Sequence, residues 1–348
     1  VRLIKPSAVT VGDTLGLVHL TANRLTEDTV RLTHRGISYL ESLGFRVKLA
    51  PHHREGSTDP KTAAGDLNAF FEDPEVDGIV ALFGGSGSIR VLPFLDRAII
   101  ENSPKVVCGY SDNTSILVGL HRLTGLVTFY GPVVGGEFAE HPYVHPYTED
   151  NFLRVIAGDL VGAVPAADYW TEEFMGNAAE DGSGARTERN VNAGYHWLRE
   201  GQAEGRLIGG CLDNLIELME EGLLPNLSGK ILFWEVVFWD FNTPEHDNPP
   251  ETFQEKLEAL TRAKGFEDLA GMIVGRPCPS HLVARIDFPA VLERSLAGLR
   301  FPVVTGFDTG HTDPMLTLPL GVRASLDSSS NSVALLEAAV RPSTEEVV

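Results

Sequence analysis

The sequence predicts an α/β protein in two parts: a doubly wound parallel sheet, then a smaller, strand-rich α/β domain. Three observations carry this expectation. Over about the first 150 residues, apolar strand-like runs alternate with segments whose apolar residues recur at helical spacing. The run "VDGIVALF" is apolar almost throughout, as a parallel strand covered on both faces must be. Beyond that point the alternation stops and strand candidates dominate.

Taken in order, "TLGLVHL" (Thr14–Leu20) reads as a strand, "EDTVRLTHRGISYLESLG" as a helix and "FRVKLAP" as a second strand. In "DPKTAAGDLNAFFED", Asp59 is placed to cap a helix and Pro60 takes its first position, where a missing N–H costs nothing. "VDGIVALF" ends in "GGSGS"; the helix "IRVLPFLDRAII" and the strand "KVVCGY" then lead to Ser111. This βαβα rhythm describes a Rossmann-like N-terminal layer with helices on both faces. "AADYWTEEFMGNAAEDGSGARTERNVNAG" is polar, Gly-rich and without sustained period, and reads as a linker or a long functional loop. Past it come the strand candidates "KILFWEVVFW", "GMIVG" and "FPVVTGF", with helices over "PETFQEKLEALTRAKG" and "DFPAVLERSL". The expected division is an N-terminal α/β domain over residues 1–160, a linker or specificity loop over 161–195, and a C-terminal domain over 196–348.

A chain of 348 residues suits two cores rather than one. Its formal net charge of −20 argues against a nucleic-acid or anionic-membrane surface, because phosphate binding needs clustered Lys and Arg. Cys108, Cys211 and Cys278 are scattered, without CxxC spacing, which fits a reducing compartment and supplies neither a disulfide framework nor a metal site. The opening "VRLIKPSAVTVGD" has no apolar core of a signal peptide, and no apolar run nears the ~18 residues of a membrane span. The expectation is a cytoplasmic protein with no cofactor.

"CGYSDNTSILVGL" (Cys108–Leu120) puts Ser111 where a strand hands over to a helix. Such a serine is either a helix cap or a nucleophile exposed at the carboxyl ends of the strands, where helix-terminal N–H groups stabilise a developing oxyanion. "GYSDN" holds half of the G-x-S-x-G pattern, with Asn113 at the second glycine. "FGGSGS" (Phe83–Ser88) is neither a dinucleotide nor a Walker loop; it serves as a tight βα turn, an anion cradle or the source of an oxyanion amide. Glu235 stands amid the apolar "KILFWEVVFW", where a carboxylate needs a His or Arg partner, structural or catalytic. His311, in "TGFDTGHTDPMLTLPLG", follows an apolar strand and is either a general base or an ordinary loop residue. "HPYVHPY" spaces two histidines four apart, but its prolines break the helix that a metal pair would use. "PEHDNPPE" reads as a solvated loop, and Cys108 as a small core residue.

Taken together, these stretches resemble the LD-carboxypeptidase family of serine peptidases, most of all its microcin C immunity protein-like branch. "VDGIVALFGGSGSIRVLPFLD" resembles the family's strand, Gly-Gly loop and helix, and "VVCGYSDNTSILVGLH" its nucleophile turn. "GRLIGGCLDNLIEL", "GKILFWEVVFWD" and "FPVVTGFDTGHTDPMLTLPLG" resemble three further segments in the family's order. The resemblance implies a triad of Ser111, Glu235 and His311, an oxyanion hole from the backbone amides of Gly85 and Asp112, no metal, and a homodimer. It implies a microcin C-type peptide-nucleotide or aminoacyl adenylate analogue as substrate, or alternatively a murein tetrapeptide losing its terminal D-alanine. A non-catalytic module holding a nucleotide or sugar is the reading from another class. Two departures stand out: "LVHLTAN" replaces a Pro-Ser pair after the first strand, and "FYGP" (Phe129–Pro132) stands where murein-acting members read "HGP". Trp197 and Trp170 are the candidates for the nucleobase stacking that this branch implies, each with a core role as the alternative, and Tyr195 is a further candidate substrate contact.

Overall fold

A computed structural model of the chain describes residues 2–22, 25–54, 59–173, 189–239 and 248–342. Five parallel strands form its first sheet: β1 (Thr14–Val18), β2 (Arg46–Leu49), β3 (Gly78–Ala81), β4 (Val106–Gly109) and β5 (Thr128–Tyr130), in the order β5-β4-β3-β1-β2. A sixth strand, Leu318–Leu320, pairs antiparallel with β5. Every residue of β1, β3 and β4 is buried, which is why these runs carry no polar alternation. The strand order reverses between β1 and β3, and the loops leaving these two neighbouring strands stand side by side at their carboxyl ends.

The helices α1 (Glu27–Ser42), α2 (Pro60–Glu72), α3 (Arg97–Asn102) and α4 (Thr114–Thr124) connect this sheet. Asp59 caps α2 as the sequence predicts, accepting the N–H groups of Lys61 and Thr62. The single helix expected over "IRVLPFLDRAII" is instead a 3-10 turn over Ser88–Phe94 and a separate α3. Pro93 supplies no N–H to a continuous helix, and Asp96 restarts it by accepting from Ala98 and Ile99.

After α5 (Pro146–Ala157) the chain builds a second sheet. Its strands are β6 (Gly162–Ala163), β9 (His196–Arg199), β10 (Gln202–Cys211), β11 (Lys230–Glu235), β12 (Gly271–Gly275), β13 (Val303–Phe307), β15 (Arg323–Asp327) and β16 (Ser332–Leu335), in the order β6-β16-β15-β10-β11-β12-β13-β9. Between them in sequence, β7 (Tyr169–Trp170) and β8 (Asn190–Val191) form a ribbon where the sequence predicts only a loop; β14 is the Leu318–Leu320 strand of the first sheet. Residues 174–188 of that loop lie outside the described residues. β10 to β13 run parallel, and the outer strands are antiparallel. Two residues join β9 to β10, although these strands stand four places apart. That link spans at most about 11 Å, whereas four strand spacings on a flat sheet need about 19 Å. The sheet therefore curls until β9 returns to the start of β10.

The two sheets meet where β10 ends against α4. The Cys211 N–H donates to the Thr114 hydroxyl at 3.0 Å, and a Cβ on Gly210 would lie 2.3 Å from the Thr114 methyl, so only glycine permits the approach. The buried side chains of both sheets form one continuous cluster. Among the described residues, no helix is long and apolar enough to cross a membrane.

Candidate active site

Ser111 begins a 3-10 turn between β4 and α4, with φ at 59°. A serine pays roughly 1 kcal/mol or more for this left-handed backbone, so its surroundings must hold it there. The Thr114 hydroxyl donates to the Ser111 carbonyl at 2.7 Å, and the Asn113 amide donates to the Tyr110 carbonyl at 3.0 Å. The turn sets Ser111 just beyond the carboxyl end of β4.

There Ser111 Oγ lies 3.0 Å from His311 Nε2, and His311 Nδ1 lies 2.9 Å from Glu235 Oε2. Because a carboxylate only accepts, Nδ1 carries the proton and Nε2 is left to accept from the serine hydroxyl. Glu235 ends β11 and is wholly buried. Its other oxygen accepts the Tyr130 hydroxyl at 2.6 Å, and that same hydroxyl oxygen accepts the Ser111 N–H at 3.3 Å. Tyr130 thus joins the carboxylate to the backbone of the serine.

Glu235 and His311 each favour the charged form of the other. Burial works against the His311 imidazolium, but the Glu235 carboxylate, aided by Glu137 and Asp313, lifts its pKa above the ordinary value. Burial also opposes ionisation of Glu235, yet His311, Tyr130 and Cys211 together hold its pKa below the usual range. Glu137 is pushed up to about 7, mainly by burial and then by Asp313. It lies behind Tyr110, whose ring meets His311 edge-on at 5.1 Å.

The glycine loop closes the other side. A Cβ on Gly84 would fall 2.8 Å from Ser111 Cβ and 3.1 Å from its Oγ, so the loop backbone rests directly on the serine. Gly85 follows with φ at 153°, a conformation that L side chains rarely adopt. Asp112 is buried, and its carboxylate accepts the Ser88 N–H at 2.9 Å and the Asn214 amide at 3.0 Å. These bonds tie the loop to the serine turn and to α6 (Leu212–Glu220).

The three aromatic candidates separate. Tyr195 stacks on Phe307 at 5.1 Å and donates to the Val164 carbonyl, a core position. The Trp197 indole donates to Asn331, in the turn between β15 and β16. That turn follows Asp327, which pairs with the first residue of β10, whereas Cys211, its last, pairs with Glu235. The indole's anchor therefore lies nearly the full length of β10 from the end of that strand that pairs with Glu235. Trp170 differs: it lines a cavity of ≈ 290 Å³ with Tyr143, Tyr169, Arg189 and Asp313, and Arg276 lies over its ring at 5.4 Å. Thr171 and Asp313 exchange two backbone hydrogen bonds, which fasten this ribbon two residues from His311.

Sequence reasoning missed Tyr130 and Asn214. A tyrosine ending a buried strand beside the serine strand, in "FYGP", was the available signal for the first. Among the described residues, no cluster of His, Cys, Asp and Glu could hold a metal ion, and His145 of "HPYVHPY" caps α5. All three cysteines are buried and unpaired by disulfides, with Cys108 in the core.

Comparison with known proteins matches residues 18–131 to the LD-carboxypeptidase N-terminal domain and residues 204–326 to the LD-carboxypeptidase C-terminal domain. The microcin C7 self-immunity protein MccF of Escherichia coli is 30% identical over 337 residues, 94% of each chain. A probable murein peptide carboxypeptidase of Bacillus subtilis (strain 168) is 28% identical over 348 residues, covering 97% of this chain and 95% of that protein. A solved structure of MccF with aspartyl sulfamoyl adenosine superposes with a TM-score of 0.84 at 28% identity, over 97% of this chain and all of that one (100%).

Proposed function

The chain belongs to the LD-carboxypeptidase family of serine peptidases, and from that premise we propose that Ser111, His311 and Glu235 form its catalytic triad and cleave a microcin C-type peptide-nucleotide or its aminoacyl adenylate analogue. The observation that carries the triad is the unbroken run of hydrogen bonds from Ser111 Oγ through His311 to Glu235, at 3.0 and 2.9 Å. Ser111 Oγ attacks the carbonyl carbon of the scissile amide while His311 Nε2 takes its proton. Glu235 keeps the imidazole in the tautomer that can do so and stabilises the imidazolium that results. The backbone N–H groups of Gly85 and Asp112 receive the oxyanion. His311 then protonates the leaving nitrogen, and water, deprotonated by His311 in turn, releases the acyl group from Ser111.

Support for the nucleotide substrate comes from MccF, whose solved complexes contain glutamyl sulfamoyl guanosine and aspartyl sulfamoyl adenosine. In this chain Trp170 offers an aromatic surface for the base beside the His311 loop. Full-length similarity to the murein carboxypeptidase supports a second substrate, a murein tetrapeptide losing D-alanine. Mass spectrometry of wild type and Ser111→Ala, each given an aspartyl sulfamoyl adenosine and a murein tetrapeptide, tests both. Cleavage of the first by wild type alone is expected. Cleavage of the tetrapeptide alone would move the substrate to the second reading, and cleavage surviving in Ser111→Ala would remove the serine from its role. The family resemblance also points to a homodimer, which light scattering reads directly; a monomeric mass ends that part of the proposal.

A further inference from the structure

The turn after β1, residues 19–22, and the glycine loop after β3 stand side by side at the carboxyl ends of two paired strands. These two segments bond to each other. The Thr21 hydroxyl donates to the Gly84 carbonyl at 3.0 Å, and the Ala22 N–H donates to the Ser86 carbonyl at 2.8 Å. His19 is buried behind them, with Nε2 3.1 Å from Thr21 Oγ1 and Nδ1 3.1 Å from the His53 carbonyl. Its ring also meets Phe83, which opens the loop, edge-on at 6.3 Å.

We propose that Thr21, steadied by His19, is a positioning residue that fixes the Gly84–Gly85 peptide and so aims the Gly85 N–H at the carbonyl that Ser111 attacks. The inference rests on the hydrolase reading above and adds to it a part for the turn after β1. A trans peptide is a rigid plane with its C=O and N–H pointing opposite ways, so pinning the Gly84 oxygen sets the direction of the Gly85 hydrogen. Two successive glycines resist rotation of that plane less than any other pair would, so an outside anchor is required. The neighbouring groups have anchors of their own: the Asn113 amide holds the Phe83 carbonyl, and Asp112 holds Ser88. Among the described residues, Thr21 is the side chain that holds Gly84.

Counting protons assigns His19 its part. Thr21 has one hydroxyl proton, and the Gly84 carbonyl can only accept it. The His53 carbonyl can only accept as well, so a neutral His19 serves one neighbour at a time: with its proton on Nε2 it donates to Thr21 Oγ1 and leaves the hydroxyl to Gly84. A neutral ring protonated on Nδ1 instead, toward His53, would draw the Thr21 proton to Nε2 and release Gly84. The tautomer of His19 thus decides whether the glycine plane is held.

The test uses a fluorophosphonate probe, whose phosphorus forms a bond to Ser111 Oγ as fluoride leaves and His311 takes the serine proton. Its phosphoryl oxygen occupies the oxyanion position, so the labelling rate reads Gly85 without a substrate. Intact mass should show wild type labelled once and Ser111→Ala unlabelled. Thr21→Val should label about tenfold more slowly or worse, since losing an oxyanion donor outright costs 10²–10³. Thr21→Ser should restore the rate. Should Thr21→Val lose its circular dichroism signature, Thr21→Ala, which deletes the same hydroxyl with less bulk, takes its place with the same expectation. Labelling of the valine or alanine variant at the wild-type rate overturns the proposal, as does a serine variant as slow as they are, because packing of the methyl would then be the cause. Unlabelled wild type would instead refute the hydrolase reading, and this inference with it.

Discussion

Tyr130→Phe separates the work of one hydroxyl from the packing of its ring. The ring is fully buried against Phe233 at 5.1 Å and Tyr110 at 6.2 Å, contacts that phenylalanine keeps. Two interactions are lost: the 2.6 Å bond to Glu235 and the acceptor for the Ser111 N–H. A hydrogen bond to a buried charge contributes about 1.5–3 kcal/mol, and an N–H left without an acceptor costs about 1–3 kcal/mol, so a destabilisation of roughly 3 kcal/mol is expected once their shared geometry is allowed for. Burial, followed by the Glu235 charge, holds the Tyr130 pKa well above its ordinary value, so the hydroxyl remains a donor across the working range. Urea unfolding at neutral pH measures the loss. Its pH dependence has a fixed sign. The Glu235 pKa is depressed in the folded protein, so the stability it contributes is present above the ordinary value of 4.5 and is lost as pH falls through the folded value. Because the Tyr130 bond supplies part of that depression, the gap between wild type and Tyr130→Phe should narrow below pH 4.5. Without the tyrosine, Glu235 becomes a stronger partner for His311, and the acid limb of kcat/KM should move to higher pH. A stability change under about 0.5 kcal/mol, with an unmoved acid limb, would refute the bridging role, since a surface substitution does as much.

Three further outcomes follow from the geometry. Gly84→Ala places a Cβ 2.8 Å from Ser111 Cβ, and should cost at least about 100-fold in turnover while thermal unfolding shifts little; retained turnover would mean that the loop yields easily. Because the His311 pKa is raised and the base must be neutral to act, kcat/KM should fall on the acid side through a pKa above 6.5, and Glu235→Gln should move that limb downward. A wild-type limb at or below 6.5 in a profile from pH 5 to 9 would contradict the pairing. Arg276→Met strands the buried Asp308 carboxylate, which Arg276 meets at 2.5 Å, and should cost about 3–5 kcal/mol in chemical denaturation, with part regained in Arg276→Met/Asp308→Asn. Equal stability of the single and double variants would show that the charge is not what matters.

How much of this was legible in the sequence depended on how local each signal was. The parallel sheet was legible because strands buried on both faces must be apolar at every position, as "GIVA" and "VVCG" are. The Asp59 cap was legible because a side chain two or three residues from the N–H groups it satisfies leaves few alternatives. The split at Pro93 was equally local and was overlooked because the apolar spacing on either side runs on through it. Curling of the second sheet was not legible, since it follows from which strands pair and not from any residue. The same reason hides Tyr130: its partner Glu235 is 105 positions away, and a tyrosine before Gly-Pro looks like an ordinary strand end.

The aromatic candidates show how nearness in sequence and placement in the fold differ. Trp197 and Tyr195 stand close to "GRLIGG", which ends beside the serine turn, and that proximity drew them toward the site. But β10 is ten residues long, and its first residue lies some 30 Å from its last at the rise of an extended strand. Trp197, which precedes it, is anchored on Asn331, in the turn after Asp327, the partner of that first residue. Trp170, farther off in sequence, is brought back because Thr171 and Asp313 pair two residues past His311. The turn after β1 follows the same logic. "LVHLTAN" looked like the loss of a familiar pair, yet a strand order that reverses between β1 and β3 obliges whatever follows β1 to face the glycine loop. A side chain there with a hydroxyl to donate can hold that loop, and Thr21 does so at 3.0 Å. Topology, more than nearness along the chain, decides which residues come to lie beside Ser111.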